Sequence, residues 1–160
     1  MSDKIFKSYY IIFIFSTIFI GVMLSLAVKS SLFKSSILPV SHQLFVTVLI
    51  NNTGNFVVYI LFFAISPILQ FFDLLTTTFQ ISMGIQLNGV GYALSKLTPH
   101  GVIELPNFLF YQGLSQYLLY YSIKEKSFKK GLKKQLSFWK YYLGSYFLLI
   151  CAAFLEGYIG

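Results

Sequence analysis

The chain has 160 residues, 56% hydrophobic and 19% aromatic, but only 11% charged. A water-soluble domain carries about 25% charged residues, so this composition leaves too little polar surface for an exposed globule. The aromatics exclude disorder and the single Cys151 a disulfide scaffold. Twelve Lys, no Arg and five acids give +7, an excess that in so apolar a chain marks loops held at an anionic membrane face.

The elements follow from the gaps between charges, because a crossing takes about 20 mainly apolar residues and unpaired charges inside are costly. Between Lys7 and Lys29 lie 21 uncharged residues, predicting a first span over about 9–28. Lys4 and Lys7 followed by Ser25-Leu26-Ala27 also fit a signal peptide, but the apolar stretch Tyr9–Leu24 exceeds the usual 7–15-residue core and favours a retained helix. Thirty-eight uncharged residues then separate Lys34 from Asp73. The turn-prone run Asn51-Asn52-Thr53-Gly54-Asn55 divides them, into a short outer or interfacial helix at 39–50 and a second span at about 52–72. A third span is expected over 75–95, where Gly84, Gly89 and Gly91 read as sites of close helix packing. A fourth follows over 101–123 and a fifth over 140–159.

Five spans put Lys4, Lys7 and the seven lysines of 124–140 on one side, and Lys29, Lys34 and Lys96 on the other. The positive-inside bias makes the richer side, with the N-terminus, cytoplasmic and the C-terminus external. Within the basic loop, Phe128, Leu132, Leu136, Trp139 and Leu143 recur at helical spacing with lysines on the other face. That pattern is a basic amphipathic helix lying on an anionic leaflet, with membrane lipids as its partners. No stacking platform or recognition motif accompanies the charge, so nucleic acid is not expected as a partner. The expected fold is therefore all-α: one polytopic helical bundle in a cell membrane, with five spans, a short outer helix and a basic cytoplasmic interfacial helix.

Two of the five acids, Glu104 and Glu156, are flanked by apolar sequence, and an ionisable residue within a span is by default a candidate functional residue. Pro99 suits a helix start, and His100 and Glu104 then share one face. The expected topology puts them in the first turns of the fourth span and Glu156 in the last turns of the fifth, all at the outer level. Asn51, Asn52 and Asn55 join them there. Two readings of the cluster stand side by side. One is a Glu–His pair joining helices, or a pocket for a hydrophobic peptide or lipid group. The other is a three-ligand metal site, His100, Glu104 and Glu156, with an open position suited to zinc-type hydrolysis. Cys151 reads as packing and His42 as a lone polar residue of an outer loop.

Pro99-His100-Gly101-Val102-Ile103-Glu104-Leu105-Pro106 resembles the Pro-His-Gly-x-x-Glu-Leu-Pro signature of the stage II sporulation protein M family. Asn51-Asn52 is similar to the Asn-Asn opening that family's second span, and Ala152-Ala153-Phe154-Leu155-Glu156-Gly157 to its closing Ala-Ala-x-x-Glu segment. The resemblance implies a functional cluster of Asn51, Asn52, His100, Glu104 and Glu156, with Pro99, Gly101 and Pro106 around it. It also implies either a scaffold that recruits cell-wall remodelling enzymes in sporulation, or an accessory role in maturation, export or self-protection of circular bacteriocins. The short, cationic chain looks more like the latter type, whose partners would be a hydrophobic peptide or a membrane protein such as a transporter. An intramembrane metal-dependent peptidase or cyclase at the same residues is the enzymatic alternative.

Overall fold

A computed structural model describes residues 3–29, 32–33 and 41–159. They are helical throughout: α1 Asp3–Ala27, α2 His42–Leu61, a 3-10 turn Phe63–Ile65, α3 Ser66–Asn88, α4 Val90–Lys124, α5 Phe128–Ser137 and α6 Trp139–Tyr158. Among the described residues there is no strand.

The expected all-α class is therefore observed, but the helix breaks fall elsewhere. From His42 on, the residues expected to form a separate outer helix are the first turns of α2, while 39 and 40 lie outside the described residues. Ser41 starts α2 as an extended N-cap, its hydroxyl accepting the Leu44 amide at 3.1 Å. The helix runs through Asn51–Asn55 and ends where the Phe62 amide returns to the Val58 carbonyl. The spans placed at 52–72 and 75–95 are thus replaced by α2, a break at 62–65, and α3. Pro67 lies in the first turn of α3, where its missing N–H is harmless. Gly89, at φ +84°, ends α3, a backbone state that glycine adopts without a Cβ penalty. A Cβ at Gly84, Gly89 or Gly91 would meet nothing within 4 Å, so these glycines do not serve close packing. Pro99 does not start a helix either, because it and Pro106 lie inside α4.

Two helices, Lys4–Ala27 and His42–Leu61, are long and apolar enough to cross a membrane. The pair α5–α6, bent by 61°, makes a third if counted as one span. Polarity is distributed in a membrane-like way. Ile11, Ile12, Phe15 and Phe19 of α1 and Phe147 of α6 are exposed, whereas Gln70, Asn107, Gln112, Ser115, Gln116 and Ser145 are buried. Apolar side chains facing outward are stable against lipid, where polar groups must be satisfied internally.

The chain packs as two compact units, Met1–Leu38 with Ile68–Leu97, and Pro39–Pro67 with Thr98–Gly160. In the first, Gln70 donates to the Tyr10 hydroxyl at 2.9 Å, and the Ser25 and Ser82 hydroxyls meet at 2.6 Å. Residue numbers rise together across these contacts, so α1 and α3 run parallel. The second unit is a three-helix core. Phe56 packs edge-on to Tyr111, and the Ser115 hydroxyl donates to the Tyr59 carbonyl at 2.9 Å, so α2 and α4 are parallel. Phe45 packs on Phe154 and Phe56 on Tyr146, so α6 is antiparallel to α2.

Close approach of α2 and α6 depends on small residues on α6. Ala152, Ala153 and Gly157 are buried, and a Cβ at Gly157 would stand 2.7 Å from the Phe45 Cα. Backbone cannot yield as a flexible side-chain tip can. Gly157→Ala should lower unfolding stability by about 1–3 kcal/mol, read as an earlier thermal transition in detergent. Gly144→Ala, with open space around it, should leave that transition in place.

Candidate functional site

The polar groups of the second unit lie on helical stripes. On α4, Glu104, Asn107, Tyr111, Ser115, Leu118 and Ser122 follow one another at steps of three and four, the repeat that keeps one face inward. Of these, Glu104 is half-buried and the rest are buried. On α2 the matching stripe is Asn52, Phe56 and Tyr59, continued by Phe63 of the 3-10 turn.

Where the stripes meet, the Asn52 amide Nδ2 donates to Glu104 Oε1 at 2.8 Å. Among the described residues, Glu104 Oε2 has no hydrogen-bond partner. Less than one turn along α4, Asn107 and Ser145 exchange two hydrogen bonds. Nδ2 donates to the Ser145 carbonyl at 2.9 Å and the Ser145 hydroxyl donates to Oδ1 at 2.6 Å, both buried. Farther along, the Ser122 hydroxyl donates to the Leu118 carbonyl and Gln135 Nε2 to the Ile60 carbonyl. Gln112 is fully buried, with both amide atoms unpartnered among the described residues. The result is a polar seam inside an apolar exterior, with one carboxylate on it.

Asn52 and Glu104, expected at a helix end, lie instead near the midpoints of α2 and α4. Asn51, beside Asn52, is exposed, and so is Asn55. Gly101 is buried and Pro106 exposed. Pro99 and His100 belong to the α4 backbone, but their side chains lie outside the described residues. Glu156 is half-buried on the α6 stripe of Ser145, Leu149 and Ala152. The pairs Asn107–Ser145 and Phe110–Tyr141 set the α4–α6 register, which puts Glu104 level with about residue 148 of α6. Glu156 then stands about 12 Å farther along the axis, at 1.5 Å per residue. Among the described residues no group of three His, Cys, Asp or Glu is placed to hold a metal. Cys151 is a free thiol, half-buried. His42 is not in a loop: it opens α2, with Nδ1 2.6 Å from the Tyr158 hydroxyl.

Asn107 and Ser145 were not singled out in the sequence. The signal available was spacing: Asn107 follows Glu104 by three, and Ser145 precedes Glu156 by eleven, which returns to the same helix face.

A family model, Stage II sporulation protein M, matches residues 9–160. The chain belongs to that family. No curated protein and no solved structure matches it. Membership and the apolar helices agree in describing a SpoIIM-type membrane protein.

At the far end of this unit, Lys130 Nζ lies 2.7 Å from Glu125 Oε2. This contact holds the Glu125 carboxyl below its ordinary 4.5 and raises Lys130. The ion pair therefore persists above pH 4.5 and is lost as pH falls through the lowered carboxyl value. Measured against intrinsic rates, hydrogen-exchange protection at residues 125–130 should fall as pH drops through that lowered value in the parent and stay unchanged in Glu125→Gln.

For the buried exchange, Asn107→Ala and Ser145→Ala should each cost about 1–3 kcal/mol, because each orphans a buried polar group. A double-mutant cycle in thermal unfolding should show the two losses to be strongly non-additive.

Proposed function

We propose that this SpoIIM-type chain is a non-catalytic, multi-pass membrane accessory protein that captures a hydrophobic peptide or membrane-protein partner at the Asn52–Glu104 site. Its role is in maturation, export or self-protection of a bacteriocin, in keeping with the resemblance to the small bacteriocin-associated members of the family. Five alternating crossings fit the helix directions within each unit: α1 parallel to α3, and α2 parallel to α4 with α6 opposed. The nine-to-three lysine asymmetry supports a cytoplasmic N-terminus and basic loop, with the C-terminus outside.

The observation that carries this reading is a carboxylate half-way along membrane-length helices, with one oxygen held by Asn52 at 2.8 Å and the other without a hydrogen-bond partner among the described residues. Such a group costs several kcal/mol at that depth unless paired, and the fixed oxygen orients the other toward an incoming N–H or ammonium donor. Pre-orientation of this kind reduces what a partner loses on binding.

The test is production of mature extracellular peptide by cells whose own copy is deleted and replaced. Glu104→Gln and Asn52→Leu should each reduce it about tenfold or more, with unchanged amounts of the protein in the membrane. Full production with both variants would sink the reading. Stoichiometric metal in the purified protein, lost in Glu156→Gln together with peptide processing, would transfer the function to the enzymatic alternative.

A further inference from the structure

The bend between α5 and α6 encloses a groove that the polar seam does not use. It has a volume of about 560 Å³ and is lined by Phe56 and Ile60 of α2, Gln135 and Leu136 of α5, and Trp139, Tyr142, Leu143 and Tyr146 of α6. The rim is apolar and open: Leu136 is 76% exposed, Trp139 58% and Leu143 62%. One wall is pinned by the hydrogen bond from Gln135 Nε2 to the Ile60 carbonyl at 2.5 Å. Tyr142, part of the lining, carries a buried hydroxyl with no partner among the described residues.

Cations flank the rim. Lys140 Nζ stands 5.7 Å from the Trp139 ring centroid, and Lys133 is one turn before Leu136 on α5. Both lysines are exposed, and among the described residues neither has an ion-pair partner, in contrast to Lys130.

We propose that this groove binds one anionic glycerophospholipid. An acyl chain fills the apolar trough and the Tyr142 hydroxyl donates to an ester carbonyl. Lys133 and Lys140 hold the phosphate, and Trp139 sits at the ester level where indole rings favour the interface. An acidic peptide would need several backbone partners, and the groove wall offers a single unsatisfied polar group.

Trp139 is the chain's one tryptophan, so its fluorescence reports on the groove alone. The full-length protein in neutral detergent is titrated with phosphatidylglycerol or phosphatidylcholine carrying dibrominated acyl chains, which quench indole on contact. The expected result is saturable quenching by the phosphatidylglycerol at one lipid per chain. Its half-saturation should be about 25-fold lower than for phosphatidylcholine, about fivefold for each lysine. Lys133→Gln and Lys140→Gln, both surface changes, should each remove about fivefold of that preference and move the phosphatidylcholine curve much less, because its choline cation offsets the phosphate charge. Tyr142→Phe keeps the ring and should weaken both lipids alike.

Equal or unsaturable quenching by the two lipids overturns the proposal, as do lysine variants that bind like the parent. An acidic amphipathic peptide that shields Trp139 better than unbrominated phosphatidylglycerol also overturns it, in favour of a protein partner.

Discussion

A carboxylate half-buried among apolar helices must find a donor inside the protein, because apolar side chains supply none. Glu104 finds one in Asn52, and much of the second unit follows from making that contact possible. The two residues meet only if α2 and α4 run side by side in one direction, with Asn52 and Glu104 at the same height. Parallel neighbours cannot be joined by a tight turn, so a third helix must run the other way between them in the chain or against them in space. In this unit α6 fills that place in space. It can do so at short range because Ala152, Ala153 and Gly157 clear a path for Phe45 and its neighbours.

The second unit thus inverts the arrangement of a soluble core. Its interior is specified by hydrogen bonds between particular partners, Asn107 with Ser145 and Ser115 with the Tyr59 carbonyl. Outward, α2 and α6 present many apolar side chains, among them Ile50, Leu61, Leu143 and Phe147. Each such bond is modest in net terms, yet a missing partner costs more than the bond contributes. Register is accordingly set by the polar residues, and the apolar ones supply area and fit.

The helical class and the amphipathic α5 were legible in the sequence, as was the pairing of Glu104 with one of the nearby asparagines, because charge scarcity makes each acid informative and helical periodicity survives in a short basic segment. The helix limits were less legible, for physical reasons that can be named. Asn51–Asn55 has turn chemistry in water, but a helix hides its own backbone polar groups and Asn52 gains Glu104. That context overrides propensity. The break instead falls at Phe62–Ile65, an apolar run marked by the Ser66-Pro67 pair that follows it. Pro99 has the look of a helix start, yet it lies ten residues into α4, inside the helix. Position along the helix shifts with the limits. Once α2 begins at His42, Asn52 and Glu104 move from a helix end to the middle.

The contact between Phe45 and Gly157 also has a consequence in time. More than one hundred residues separate the two, so α2 leaves the ribosome well before α6 exists. During that interval its inward face has neither Glu104 nor Gly157 to meet. Asn52 and the aromatic stripe behind it must be held by lipid, water or an insertion factor until α4 and α6 arrive in turn. The three-helix core is therefore completed only by its last helix, and a chain halted before α6 would leave Phe45 without its packing partners on α6.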